Sequence, residues 1–171
     1  DRVLCMMNAL GMHNEKTDRV KVIFIPCYLT GQDDILNLSY YDIVLGNDLC
    51  VYPSYYEPWG YTPLEAVAFK VPCITTDLAG FGLWANQVKG SYSEIEDGVK
   101  VIHRTDYNYQ EVAAAIKDTV VKYASLTDKE VKSCRSHADN LSRKALWSKF
   151  IAYYHEAYDF ALRHAEARMD K

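Results

Sequence analysis

Short apolar runs alternate with stretches of helical periodicity along this chain, and no other sequence feature restricts its fold as much. The runs are Val20–Pro26, Leu49–Tyr52, Val71–Thr75 and Gly98–His103. Each is strand-length, and Val20–Pro26 is apolar on both faces, which predicts a sheet covered on both sides. Helices are predicted at Tyr40–Gly46, Thr62–Lys70 and Leu83–Val88, and long ones at Asn108–Tyr123, Asp128–Leu141 and Ser142–Ala165. Upstream, Val3, Leu4, Met7 and Leu10 share one face of a helix stopped by Gly11, and Leu29–Leu38 reads as a turn and a short helix. Such alternation predicts an α/β class with a doubly wound parallel sheet. Ligands of these sheets bind beyond the carboxyl ends of the strands.

One such end carries the chain's densest motif, Tyr52 to Ala66. Glu57 and Glu65 stand there with Pro58, Gly60 and Pro63 between them, so the interval is not one helix. Glu57 belongs to a loop and Glu65 to the helix that follows. Thr62 reads as that helix's N-cap, Pro63 as its first residue and Glu65 as the closing member of a capping box. A helix start gathers free N–H groups and positive dipole, which suits an anion such as a diphosphate.

The run Ser-Tyr-Tyr-Glu-Pro-Trp-Gly-Tyr-Thr-Pro, Ser54 to Pro63, resembles the donor-site motif of retaining GT-B glycosyltransferases, and in detail that of the animal and fungal glycogen synthase family. Arg19–Pro26, Pro72–Gly82 and Leu141–Trp147 resemble further family segments, so the likeness spans about Asp18 to His164. The resemblance implies a Rossmann-like GT-B C-terminal domain with long C-terminal helices. One domain over 1–171 is expected, with a donor-binding core at 1–125 and a helical segment at 126–171. It also implies glucose transfer from a nucleoside diphosphate glucose, UDP or ADP, to the non-reducing end of an α-1,4-glucan. Glu57 would hold a hydroxyl of the transferred glucose, with the amides of Trp59 and Gly60 beside it. Tyr61 and Thr62 would carry the diphosphate, Glu65 the ribose and Tyr40 the base, while Gly80, Phe81 and Gly82 would form a loop near the sugar. Residue by residue, alternatives stand: a surface carboxylate for Glu57, a capping role for Glu65, a neighbouring register with Tyr41 for Tyr40, and a plain turn at Gly80–Gly82.

Two departures from the family pattern matter. The basic pair that grips the donor diphosphate has no counterpart ahead of the motif, and the acceptor-facing domain is not in this segment. The segment alone is therefore expected to bind donor weakly and to transfer no glucose. The family's arginine-rich effector helix corresponds here to Lys129–Asn140, with Lys129, Lys132 and Arg135, and with His137 where an arginine is expected. Scattered cations make a poor phosphate clamp, so little activation by glucose 6-phosphate is expected.

Composition narrows the classes. The 171 residues suit one domain, and 49% hydrophobic with 25% charged residues is ordinary for a globular chain. No apolar run has the length of a membrane span, and the N-terminus lacks a signal-peptide pattern. Net charge is −4, against nucleic-acid binding, and the basic residues concentrated after 121 read as a solvated helical face. The scattered Cys5, Cys27, Cys50, Cys73 and Cys134 read as small buried hydrophobes in a reducing, cytoplasmic setting. Neither a metal nor another cofactor is expected, and no histidine, His103 included, is given a catalytic role. The aromatic stripe Trp147, Phe150, Ile151, Tyr154, Tyr158 and Ala161 is expected to pack against the domain. A homo-oligomer of the whole enzyme is left open, as are a sucrose synthase-like transferase and a non-catalytic nucleotide-sugar module.

Overall fold

The computed structural model describes residues 1–169. They form two compact units, divided between residues 42 and 43.

In the first unit, helix α1 (Arg2–Ala9) is capped by the Asp1 carboxylate, which accepts from the amides of Val3 and Leu4 at 2.7 and 3.4 Å. Gly11 stops it at φ 69°, as its sequence predicts. The strand predicted at Val20–Pro26 does not form. A strand needs a ladder, and here both backbone polar groups of Val22 go to the side chain of Asn14, at 2.8 Å each. Val20 and Ile23 are exposed. The short helix predicted in Leu29–Leu38 is also replaced. The Asp33 carboxylate accepts from the amides of Leu36, Ile35 and Asn37, with Leu36 foremost in holding its carboxyl below the ordinary range. Asp34 and Asn37 adopt φ 59° and 53°, which no right-handed helix accommodates. Helix α2 (Tyr40–Gly46) begins in this unit and ends in the next.

The second unit is the α/β body. Its order is β1 (Cys50–Val51), α3 (Tyr61–Ala68), β2 (Cys73–Thr76), α4 (Gly80–Lys89), a 3-10 turn (Ile95–Asp97), β3 (Val99–Ile102), α5 (Tyr109–Ala124), α6 (Asp128–Lys144) and α7 (Trp147–Met169). The strands are parallel in the order β1-β2-β3, with Cys50 opposite Cys73 and Cys73 opposite Val99. Every residue of β2 is buried. The Cys73 thiol lies 3.8 Å from the Pro63 carbonyl of α3, while Ile74 and Ile102 pack on Val112, Ala115 and Ile116 of α5. Alternate side chains of a strand point to opposite faces, so helices cover both faces of this parallel sheet. The α/β, Rossmann-like class expected from the sequence holds, on three strands among the described residues.

Three boundaries differ from expectation. Helix α3 starts at Tyr61, and its N-cap is Gly60 in the left-handed region (φ 108°, ψ 77°) with no side-chain cap bond, so the predicted Thr62 cap and its box with Glu65 are absent. Pro63 becomes the third helical residue; a first turn needs no i→i−4 N–H, so proline fits there. Gly80–Gly82 is not a loop but the opening turn of α4. Helix α6 runs through Ser142 to Lys144, and α7 starts only at Trp147.

The expected packing of the aromatic stripe is mostly overturned. Helix α7 buries no residue, and Trp147, Tyr154 and Tyr158 are 60%, 48% and 58% exposed. Near its start α7 meets the body, where the Phe150 ring stands 5.6 Å from Trp59 and 5.7 Å from Trp84. Cysteine burial is also corrected: Cys50, Cys73 and Cys134 are buried, but Cys5 and Cys27 are exposed. Burial pushes the Cys73 thiol far above its ordinary range, with the nearby Cys50 adding to it.

Candidate functional site

The loop from β1 to α3 lies at the carboxyl ends of the strands. It leaves the sheet after the Tyr52 amide has donated to the Ile74 carbonyl at 2.8 Å. The Thr76 hydroxyl, at the end of β2, then donates to the Ser54 carbonyl at 2.6 Å. Further on the loop is stitched to the start of α4. The Glu57 amide donates to Leu78, the Gly80 amide donates to Glu57, and the Phe81 amide donates to Trp59, at 3.2, 3.1 and 2.6 Å. Glu57 and Ala79 thus form a parallel bridge. The first two N–H groups of α4 have partners inside the fold.

Two glycines make this contact feasible. A Cβ on Gly80 would sit 2.2 Å from the Pro58 carbonyl oxygen, and one on Gly82 equally close to that of Thr76. Helix α4 can therefore press its first turn onto the loop and onto β2 only with bare α-carbons at both places. Phe81, between them, is fully buried. The side chains near Trp59 form an aromatic cluster with Phe81, Trp84 and Phe150, at ring separations of 6.0, 5.8 and 5.6 Å.

The Glu57 side chain is half-buried and oriented. The Ser54 hydroxyl donates to its Oε2 at 3.0 Å. That same oxygen lies 3.6 Å from where a Cβ of Gly60 would stand. The carboxylate therefore flanks the bare face of Gly60, immediately before α3. At that helix start the N-cap is Gly60, which has no side chain to cap the first-turn N–H groups of Tyr61 and Thr62, and Tyr61 is exposed. Glu65 lies four residues after Tyr61, on the same helical face and half-buried.

The structure thus brings together Glu57, Trp59, Gly60, Tyr61, Thr62, Gly80, Phe81 and Gly82 around one loop, with Glu65 on the helix it feeds. Tyr40 lies in the first unit, where its amide donates to the Leu29 carbonyl at 3.0 Å and its ring meets Tyr41 at 5.3 Å. Sequence reasoning missed the segment after β3. Arg104 donates to the Pro53 carbonyl and lies over the Tyr55 ring at 5.3 Å, and the Tyr55 hydroxyl donates to Asp106. That hydrogen bond and the charge of Asp106 raise the Tyr55 hydroxyl's pKa. These partners are 51 residues apart, and no local motif announces them. Ser54 was visible only as part of the motif, without its bond to Glu57. Among the described residues no cluster of His, Cys, Asp or Glu is arranged to hold a metal ion, and no helix is long and apolar enough to cross a membrane.

A parallel three-stranded sheet with helices on both faces belongs to the Rossmann-like α/β class. The comparisons are more specific. The profile of the glycogen synthase family matches residues 1–169. The glycogen (starch) synthase isoform 1 of Saccharomyces cerevisiae is 33% identical over 165 residues, covering 96% of this chain and 23% of that protein. The glycogen (starch) synthase of Caenorhabditis elegans is 30% identical over 171 residues, covering 100% and 25%. The liver glycogen (starch) synthase of Rattus norvegicus is 30% identical over 165 residues, covering 96% and 23%. The chain belongs to the glycogen synthase family. It spans about a quarter of the length of the curated relatives it matches.

Proposed function

We propose that this chain is the donor-binding part of a retaining glucosyltransferase that moves glucose from a nucleoside diphosphate glucose to the non-reducing end of an α-1,4-glucan. The observation that carries the reading is the Glu57–Gly60–Thr62 junction. A fixed carboxylate faces a bare α-carbon at a helix start whose N-cap is a glycine with no side chain to offer the first-turn N–H groups, at the ligand end of a parallel sheet.

In this reading the Ser54 hydroxyl holds one oxygen of Glu57, which leaves the other to accept from a glucose hydroxyl. The amides of Tyr61 and Thr62, with the dipole of α3, meet the diphosphate. Their effect is largest in the transition state, when the departing nucleotide gains negative charge. Glu65, one turn on from Tyr61, accepts from the ribose hydroxyls; a role for Tyr40, which lies in the first unit, in stacking on the base rests on the family resemblance alone. Trp59 and Gly60 stand at the sugar end of the loop, and the Gly80–Phe81–Gly82 turn supports that loop from behind. No metal or other cofactor takes part. The acceptor glucan is met by parts of the enzyme outside this chain, the setting is cytoplasmic, and neither nucleic acid nor membrane is a partner.

The test is transfer of labelled glucose to glycogen by the complete protein, supplied in turn with UDP-glucose and ADP-glucose. Incorporation from one donor well above the other supports the reading and names the nucleotide. Donor binding by calorimetry without incorporation into any glucan would instead mark a nucleotide-sugar module.

A further inference from the structure

We propose that Arg104 is a positioning residue for the transfer, acting through the loop that carries Glu57; the inference rests on the role of Glu57 given above. The middle of that loop is fixed by α4, but its first residues, Pro53 to Tyr55, have a different support. It is the segment that follows β3.

Arg104 is itself anchored. Its amide donates to Asp77 Oδ1 at 2.9 Å, and the other oxygen of Asp77 meets His103 Nδ1 at 2.6 Å and the Tyr92 hydroxyl at 3.5 Å. Asp77 directly follows β2, so the root of Arg104 is tied to the sheet. From that root the guanidinium reaches two loop residues. It donates to the Pro53 carbonyl and covers the ring of Tyr55. Asp106, two residues on, takes the Tyr55 hydroxyl.

Ser54 lies between the two residues that Arg104 grips. Its carbonyl is held by Thr76, and its hydroxyl is the donor that fixes Glu57 Oε2. The direction of that hydroxyl depends on how Pro53 and Tyr55 are held on either side. Arg104 touches both, and the path Arg104–Pro53/Tyr55–Ser54–Glu57 is continuous. Lysine would not replace it. An ammonium can donate to the carbonyl or approach the ring, but it lacks the planar group that does both at once.

The prediction is a selective loss. The diphosphate is assigned to the amides of α3, which this path does not touch, so Arg104→Met in the complete protein should leave UDP or ADP affinity within about threefold. Turnover in glycogen extension should fall on the order of tenfold to a hundredfold, as expected when a reacting group is slightly misplaced. Arg104→Lys should recover only part of it. In a Glu57→Ala background, Arg104→Met should cost under about threefold more, because residues acting as one unit are not additive. Each variant is checked by thermal melting. Should Arg104→Met lose its fold, Arg104→Lys is read in the same two backgrounds. Unchanged turnover in the Arg104 variants, with Glu57→Ala strongly impaired, would overturn the inference alone, as would a full Arg104 effect in the Glu57→Ala background. Normal turnover in Glu57→Ala would overturn the inference and the reading of the site together.

Discussion

Gly60 and Gly80 each lack a Cβ for a separate reason. Gly60 holds φ 108°, and a Cβ there would meet Pro63 Cγ at 3.2 Å and Phe81 Cβ at 3.4 Å. Both neighbours are buried, but at these distances they need give only a few tenths of an ångström, so Gly60→Ala should cost about 1–3 kcal/mol, mostly from backbone strain. At Gly80 the backbone is ordinary, but the Cβ would lie 2.2 Å from the Pro58 carbonyl oxygen. Neither α4 nor the loop can yield without breaking the Gly80–Glu57 and Phe81–Trp59 hydrogen bonds. Gly80→Ala should therefore be the more destabilising of the two, at roughly 3 kcal/mol or above. Urea unfolding of both variants checks this; a Gly80→Ala protein as stable as Gly60→Ala would contradict the close approach. The same pair shows what was legible at this scale. Gly60 was readable as a place of close approach, since it has no side chain and stands where the resemblance puts an amide beside the sugar. Gly80 and Gly82 read as loop residues, because sequence does not distinguish a glycine that bends from one that lets two elements touch.

Elements bounded by strong signals were legible. The runs around β1, β2 and β3 stand between turns, and α5 and α6 have clear starts, α6 with a capping box of Thr127 and Glu130. Elements whose state depends on a distant partner were not. Val20–Pro26 has strand composition but no ladder, and the stripe on α7 has helical spacing but little to cover it beyond Phe150. A helix of this length runs about 35 Å, and periodicity says nothing of how much of it lies on the body. Helix α6 carries a regulatory prediction. Arg135 donates to the Asn47 carbonyl and pairs with Asp48 at 3.0 Å, and His137 Nδ1 meets the Glu96 carbonyl at 2.6 Å. With these groups engaged in the fold, glucose 6-phosphate should activate the complete protein less than about tenfold, a coupling under roughly 1.4 kcal/mol. Activation assays decide, and a larger effect would mean that α6 binds phosphate after all.

The 3-10 turn before β3 makes the second element-scale prediction. For Asp97, burial acts to raise the pKa. The Lys89 hydrogen bond, the Glu94 amide, and the charges of Lys89 and His137 outweigh it, so the carboxyl lies below its ordinary 3.8. The hydrogen bond from Lys122 chiefly holds Glu96 below its ordinary 4.5. Folded values below the unfolded ones mean that both groups stabilise the fold fully above the ordinary carboxylate range. That contribution is lost as pH falls through the lowered values. Acid unfolding below about pH 4 should thus become shallower in Lys89→Met and Lys122→Met. Identical acid limbs in wild type and both variants would deny these pairs any part in it. Both pairs are partly exposed, so the effect at neutral pH should be small.

For the whole molecule, cysteine accessibility offers a direct check of the packing. Cys5 and Cys27 are exposed, while Cys50, Cys73 and Cys134 are buried. A thiol reagent should label the first two in the native protein and reach the other three only on unfolding. Rapid labelling of Cys73 would contradict a sheet covered on both faces. The fold class was legible across this scale because strand and helix signals alternate throughout the second unit. No linker composition marks the division at residue 42.

The central claim is that Glu57 holds the glucose being transferred, and turnover of Glu57→Ala in the complete protein tests it most directly. The account predicts a loss of more than about a hundredfold, near 2.7 kcal/mol of transition-state stabilisation. Thermal stability should be almost unchanged, since the side chain's hydrogen bond to Ser54 supports a loop and not the core. Near-wild-type turnover in a folded Glu57→Ala protein would contradict it.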